Sequence, residues 1–339
     1  MFLDFYGLRE QPFGVTPDPR FLYLSPAHRE ALASMVYGID AERGFLALIA
    51  KPGMGKTTLL FQLLQQFRPR ARTAFLFQTQ CTSREFMRFL LLELGCEVNG
   101  EQDLVTMHEQ FNRCLLQEAH ADRRFIVVVD EAQNLEPSVL ETIRLLSDFE
   151  TPQAKLLQIV LSGQPELADK LARPSLRQLR QRISLLSTLA PLSPQEVERY
   201  MSHRLRTAGR GDGPLFTALA AQMIAELSEG IPRNINNICF NALSLGCSLR
   251  QKTIDVDVVR EVAADFDLAG MRSEPGITNF KPETISLASP APEARSLVTG
   301  STSNTRVKTR RGELLNREDA LAYMQEIIQR LKKDQHFAN

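Results

Sequence analysis

The stretch that most constrains this chain is Ala50-Lys51-Pro52-Gly53-Met54-Gly55-Lys56-Thr57-Thr58. An apolar run, Phe45 to Ile49, precedes it, and a helical pattern opening on Leu59-Leu60-Phe61 follows. Strand, glycine-rich loop, Gly-Lys-Thr and helix is the order a phosphate-binding loop needs. Gly53 and Gly55 let backbone N–H groups curl around an anion, and the helix aims its positive dipole end at the same point. Lys56 is placed to reach β- and γ-phosphates, and the Thr57 hydroxyl to ligate Mg²⁺. The segment Lys51 to Thr58, with Lys51, Pro52, Gly53, Met54, Gly55, Lys56, Thr57 and Thr58, is the candidate cradle for ATP. One departure shows: Ala50 stands where the pattern G-x-x-x-x-G-K-[ST] has its first glycine. Alanine is small enough to serve unless the position demands a positive φ.

The second signal is Arg124-Phe125-Ile126-Val127-Val128-Val129-Asp130-Glu131. Five apolar, mostly β-branched residues in a row suit a central parallel strand buried on both faces. Two carboxylates end it, at the sheet edge where open α/β folds bind ligands. Asp130 is placed to hold Mg²⁺ and Glu131 to polarise an attacking water. The competing reading, an Asp-Glu pair that only caps a helix, loses ground downstream of a phosphate loop. A third buried strand, Leu156 to Leu161, ends on Ser162-Gly163-Gln164, so Ser162 or Gln164 is placed to touch the γ-phosphate or the water. Ordinary strand-end polarity explains either residue alone.

Length and composition narrow the rest. The 339 residues suit about two domains. Hydrophobic residues at 43% and charged residues at 24% describe a soluble globular chain. Forty basic and forty acidic side chains cancel. A whole-chain basic field of the kind that advertises nucleic-acid binding is therefore absent, although a local patch is not. The five cysteines show no C-x-x-C pair or zinc spacing and read as buried thiols in a reducing compartment. Met1-Phe2-Leu3-Asp4 has an acid where a signal peptide carries positive charge, and no run approaches the ~20 apolar residues of a membrane span. The expectation is a cytoplasmic protein with no membrane span of its own.

Residues 1–40, rich in turn signals and interleaved aromatics, read as an N-terminal segment packed on the nucleotide core. Ser25-Pro26 opens a helix, serine as N-cap and proline at the first position. Further elements are a strand over Thr73–Gln78 and helices from Ser83 to Leu94, Leu104 to Ala119 and Pro137 to Phe149. A strand follows from Ile183 to Leu189. Arg173, Arg177 and Arg180 share one helix face, with Arg182 just beyond. That face is either solvated or presents an arginine to a neighbouring subunit. Ser193-Pro194-Gln195-Glu196 is a capping box that starts a purely helical region, in which Gly230-Ile231-Pro232 opens a helix with Arg233 at its exposed start. The predicted division is 1–40, 41–191 (α/β nucleotide domain), 192–269 (all-helical lid), 270–312 (flexible linker, ending basic) and 313–339 (an amphipathic helix over Asn316 to Lys333).

Taken in order, Phe5-Tyr6-Gly7-Leu8, Thr16-Pro17-Asp18-Pro19-Arg20-Phe21, His28-Arg29-Glu30-Ala31-Leu32, Asp130-Glu131-Ala132-Gln133-Asn134-Leu135, Gly163-Gln164-Pro165-Glu166-Leu167, Leu176 to Ile183 and Gly230 to Asn236 resemble the AAA+ ATPases. More narrowly, they resemble those of the ExeA/GspA type (general secretion pathway protein A), a branch near the origin-recognition proteins. The resemblance covers about residues 1–268 and implies a P-loop NTPase core of parallel sheet with a helical lid. It also implies Lys56, Thr57 and Asp130 on ATP and Mg²⁺, with Glu131 activating water. Ser162 or Gln164 becomes the first sensor and Arg233 the second. Arg182 becomes the finger that completes a neighbouring subunit's site, with Arg180 as runner-up, and Gln78 becomes the residue restraining Glu131.

A finger supplied across an interface implies self-assembly into a ring or filament, and the family implies an envelope-associated secretion, pilus or polysaccharide-export partner, reached peripherally at the inner membrane. Longer members of that family carry a membrane span and a peptidoglycan-binding region; here a linker and a short helix are expected in their place. Two other readings stand beside the ATPase. One is a DNA-bound regulator resembling transposon target-selection ATPases, supported by the arginine cluster. The other is a low-turnover nucleotide switch or scaffold, opposed by the intact Asp130-Glu131 pair.

Overall fold

The computed structural model describes residues 2–98, 102–148, 155–211 and 213–265, together with a short antiparallel pairing of Val307–Lys308 with Leu314–Leu315. The rest of the predicted linker over 270–312 and the predicted helix from Asn316 to Lys333 lie outside the described residues.

A five-stranded parallel sheet forms the centre: β1 (Phe45–Ile49), β2 (Ala71–Leu76), β3 (Arg124–Val129), β4 (Leu157–Gly163) and β5 (Ile183–Thr188), in the order β2-β3-β4-β1-β5. Alternation along the strands divides their side chains between two cores. Phe125, Val127 and Val129 face one layer, with α4 (Ser83–Glu93), α5 (Leu104–His120), α6 (Pro137–Leu146) and α7 (Pro165–Leu171). Ile126 and Val128 face the other, with α2 (Pro26–Asp40) and α3 (Lys56–Phe67). Covering both faces is why β3 reads as an unbroken apolar run. Even Gln158, buried inside β4, is satisfied, since its Oε1 accepts the Gly44 N–H at 2.8 Å.

Several boundaries shift for local reasons. The strand predicted over Thr73–Gln78 runs instead over Ala71–Leu76. Among the described residues its sheet neighbour is β3, which ends at Val129 opposite Leu76 and leaves Phe77 and Gln78 no ladder to join. The helix predicted to reach Phe149 stops at Leu146, where the Ser147 hydroxyl donates to the Arg144 carbonyl at 2.6 Å.

Beyond the sheet lie α8 (Arg177–Arg182) and four helices: α9 (Pro194–Thr207), α10 (Ala218–Ser228), α11 (Pro232–Ser248) and α12 (Val256–Asp265). The last four share a core of their own. The N-terminal segment belongs to this core, and here the structure departs from the expectation that residues 1–40 pack on the nucleotide core. Phe2 and Tyr6 of α1 (Phe2–Tyr6), with Leu8, Phe13 and Phe21, are buried with α9 to α12, whereas Leu24 and α2 pack with the sheet. The reason is chemical fit: Phe13 meets Phe216 edge-on, Tyr6 Oη donates to the Gln251 carbonyl at 3.1 Å, and the Arg9 N–H donates to Ala208 O at 2.8 Å. Residues 2–23 are thus a strap on the helical region, and α2 after them carries the chain to the sheet.

Candidate functional site

Sheet register brings the three chemical ends together. Val129 pairs with Leu161, and Leu48 and Ile49 pair with Ser162 and Gly163. Asp130 and Ser162 therefore sit side by side at the carboxyl edge of the sheet, with Ala50 two residues beyond them at the end of the neighbouring strand, next to the point where strand order reverses.

The loop after β1 has the shape its glycines permit. Gly53 and Gly55 have φ of +80° and +85°, in the left-handed region, and Gly55 caps α3. A Cβ at Gly53 would also lie 2.8 Å from Arg233 Cβ. Ala50 shows no positive φ, so this position makes no demand that alanine fails to meet. Lys56 is 5% exposed, and its Nζ donates to Ala50 O at 3.1 Å, closing the loop on itself. Burial pushes its pKa down, Glu131 and Asp130 pull against that, and the net shift is downward.

Asp130 is nearly fully buried and accepts three hydrogen bonds: from Thr57 Oγ1 at 2.7 Å, Ser162 Oγ at 2.8 Å and the Glu131 N–H at 3.0 Å. Ser162 is therefore a buried prop for Asp130 and does not line the cavity, whereas Gln164 does. The Thr57 hydroxyl and the Asp130 carboxylate are a hard oxygen pair that suits Mg²⁺. Among the described residues no group of three or more His, Cys, Asp or Glu stands ready to hold a metal, so phosphate oxygens and water would have to complete its shell.

Glu131 sits at φ 51°, a left-handed conformation uncommon for a residue with a Cβ, which turns its side chain into the cavity. One oxygen, Oε2, accepts from both Gln133 Nε2 at 2.6 Å and Gln164 Nε2 at 3.1 Å. Gln133 is braced in turn, its Oε1 accepting the Gln164 N–H at 3.1 Å. This packing needs Gly163, since a Cβ there would lie 2.8 Å from Gln133 Oε1. Burial raises the Glu131 pKa, but the two amides, Lys56 and Arg233 outweigh it and hold the carboxyl below its ordinary range. Gln78, expected to restrain this carboxylate, is an exposed residue past the end of β2, and its place is taken by Gln133 and Gln164.

The cavity has a volume of about 360 Å³. The phosphate loop from Pro52 to Thr58, Glu131 and Gln164 form one wall; the strap from Gly14 to Asp18 and residues of α9 and α11 form the other. Lys51 is exposed and outside the lining. Arg233 is inside it, and its backbone N–H donates to Gly53 O at 3.2 Å, which latches α11 to the loop. Arg180 and Arg182 are not part of it. Arg180 is exposed, while Arg182 binds the end of α6, donating to Arg144 O at 3.2 Å and Ser147 Oγ at 2.6 Å and pairing with Asp148.

Sequence reasoning passed over several residues here. His28 on α2 is 2% exposed; its Nε2 lies 3.0 Å from the Met54 carbonyl and its Nδ1 2.8 Å from Ser25 Oγ. A carbonyl only accepts, so Nε2 carries the proton and Nδ1 accepts from the serine. His28 is thus a neutral strut under the phosphate loop, and burial lowers its pKa. The serine N-cap was legible, but its second partner was not. Gln133 stood in plain view three residues after Asp130. Tyr200, Arg204 and Asn236 carried no local signal.

Comparison with known proteins agrees with this geometry. A domain family described as "AAA domain" matches residues 39–171. The chain is 40% identical over 275 residues to "General secretion pathway protein A" of Aeromonas hydrophila, covering 81% of this chain and 50% of that protein. It is 25% identical over 270 residues to "Uncharacterized HTH-type transcriptional regulator MJ0774" of Methanocaldococcus jannaschii, covering 68% and 64% respectively. The chain thus spans about half the length of the first relative and less than two thirds of the second. Among solved structures, the Aeropyrum pernix ORC2 protein superposes with a TM-score of 0.59 at 14% identity, covering 76% of this chain and 71% of that one. CDC6P from Pyrobaculum aerophilum also gives 0.59, at 16% identity over 75% and 70%. These two likenesses concern the fold. No helix among the described residues is long and apolar enough to cross a membrane.

Proposed function

We propose that this chain is an AAA+ ATPase of the general secretion pathway protein A type, which binds and hydrolyses ATP and couples the cycle to its own assembly and to a partner. The observation that carries the reading is the convergence on one cavity of Lys56, Glu131, Gln164 and Arg233, backed by the Thr57–Asp130 pair. Phosphate oxygens offer acceptors to the loop N–H groups and to Lys56, which exchanges the Ala50 carbonyl for them. Thr57 and Asp130 would hold Mg²⁺, which would supply neutralisation of the negative charge on the phosphates. Glu131 orients the attacking water and takes its proton. Gln164, bonded to Glu131 Oε2, is the group that a γ-phosphate draws away, leaving Gln133 as the remaining restraint. Arg233 reads the same phosphate from the helical side.

Arg182 and Arg180 lie off their own cavity, as a residue acting on a neighbouring subunit must. Arg182 is bonded to the end of α6, whereas Arg180 is exposed. Ring or filament assembly follows, with an envelope-associated secretion or export apparatus as partner; the Aeromonas relative's name places that protein in a general secretion pathway. A second reading, a DNA-bound regulator, draws on the exposed Arg173, Arg177 and Arg180 and requires steeply salt-dependent DNA binding.

The deciding experiment is turnover of purified protein with ATP and Mg²⁺. Glu131→Gln is expected to lower turnover by roughly 10²–10⁴-fold, the usual worth of a general base, while ATP still binds. Unchanged turnover in Glu131→Gln would remove the assigned base.

A further inference from the structure

The strap and the helical region meet around one buried cation. Arg204 on α9 is 8% exposed. Its Nε donates to Pro12 O, its Nη2 to Gly14 O at 3.4 Å and its Nη1 to Tyr200 Oη at 2.8 Å. The guanidinium also lies over Phe21, 5.0 Å from the ring centre. Tyr200 passes the connection on, donating to Asn236 Oδ1 at 2.8 Å, and Asn236 Nδ2 returns to Gly14 O at 3.2 Å. One strap carbonyl therefore accepts from α9 and α11 together.

Burying a guanidinium costs solvation that carbonyls and an aromatic face only partly restore. Packing alone does not need it, because Phe2, Tyr6, Phe13 and Phe21 already fix the strap to the helical core. What the cation adds is direction at the cavity margin. Gly14, Arg204 and Asn236 all border the cavity, and Asn236 lies three residues from Arg233, on the same face of α11. The strap leads straight into Ser25 and His28, the strut on Met54 O, while Arg233 holds Gly53 O. The phosphate loop is thus gripped at neighbouring residues by the two ends of one connected piece.

We infer that Arg204, acting through Tyr200 and Asn236, fixes the strap loop Gly14–Asp18 to the helix carrying Arg233, so that both close on a nucleoside triphosphate as a single rigid jaw. Arg204 is a positioning residue that touches neither the reacting phosphate nor the water. The inference rests on the cavity being the nucleotide site.

Amide hydrogen exchange on the full chain, with and without ATP and Mg²⁺, tests it, read separately in the phosphate loop (53–58) and the strap (12–18). In the unaltered protein both segments gain protection. Arg204→Met keeps the gain in the phosphate loop and loses that in the strap by roughly 10-fold, the scale of a hydrogen-bonded charge. Tyr200→Phe deletes only the hydroxyl joining Arg204 to Asn236 and reduces the strap gain by roughly five-fold, the scale of one hydrogen bond. The second variant keeps the test intact should the first fail to fold. Undiminished strap protection in both variants overturns the jaw, as does a parallel loss in both segments, which would mean general support of the fold. A phosphate loop that gains no protection in the unaltered protein overturns the nucleotide reading itself, and so separates the two failures.

Discussion

The two walls of the cavity are built on opposite plans. The sheet wall comes from strand ends, and its parts lie where register must put them. Asp130 and Ser162 follow a paired Val129 and Leu161, and Thr57 and Lys56 open the helix after β1. The strap wall is assembled from residues 12–23, 200–204 and 233–236, with hydrogen bonds that reach across 192 and 222 positions of sequence. The first wall is rigid because parallel strands fix it on both sides. The second is held by side chains; among the described residues, hydrogen bonds from the Arg233 N–H to Gly53 O and from His28, just beyond the strap, to Met54 O tie it to the loop. A site of this kind places chemistry on the fixed wall and adjustment on the other.

The largest effect should come from breaking the fixed wall. Lys56→Ala removes a buried ammonium and is expected to weaken ATP binding by roughly 100-fold, from about 3 kcal/mol for hydrogen bonds to a charged group. Arg233→Ala, on the adjustable wall, should cost roughly 10-fold at most. Calorimetric titration with a non-hydrolysable ATP analogue measures both, and equal losses would erase the distinction between the walls. Gly53→Ala attacks the seam between them. It forces a side chain into φ +80° and against Arg233 Cβ at 2.8 Å. A cost of about 1–2 kcal/mol is expected, seen as a Tm lowered by roughly 2–6 °C.

The same contrast explains what the sequence disclosed. Everything on the sheet wall lies within a few residues of a motif: Lys56 and Thr57 after two glycines, Glu131 at a strand end, Gln164 after another. Local pattern is enough there, since strand order and register are set by hydrophobic runs. The strap was legible as apolar and turn-rich, but not as a partner of α9 to α12. Aromatic residues declare that they will be buried without declaring against what. Arg204 and Tyr200 sit on an amphipathic helix where an arginine normally faces water, and only tertiary structure shows that Pro12 and Gly14 carbonyls come to meet them. Arg182 was legible as one of a cluster. Its hold on the end of α6 was not, because it depends on where α6 stops.

A smaller change sharpens the account of Glu131. Gln133→Leu keeps the side chain's bulk and removes one of the two amides on Oε2. Because that hydrogen bond lowers the carboxyl's pKa, the acid limb of the turnover–pH profile should move to higher pH. With less restraint and greater basicity, basal turnover should rise by roughly two- to five-fold, the worth of one hydrogen bond. An unmoved acid limb with reduced turnover would make Gln133 an orienting group instead of a restraint.

The smallest expected effect concerns the other grip on the phosphate loop. His28 is buried and neutral, and its pKa lies below the ordinary 6.5. Above 6.5 neither the folded nor the unfolded chain carries the proton, and His28 does not tilt the balance. Below it the unfolded chain binds a proton that the folded one refuses, so stability falls with pH until the folded-state pKa is passed. The charged ring would also have to donate from both nitrogens, and Ser25 Oγ, which already accepts the His28 N–H, would then have to turn its hydroxyl away. Thermal melts of the nucleotide-free protein between pH 7.5 and 5 should show this decline, and His28→Gln, which still reaches a carbonyl with an N–H, should flatten it. Binding of the ATP analogue at pH 5.5 should suffer in parallel in the unaltered protein and less in the variant. A melt curve with the same pH slope in both would mean that the strut does not carry the proton linkage, and the hold on the loop from this side would reduce to Ser25 and the packing of α2.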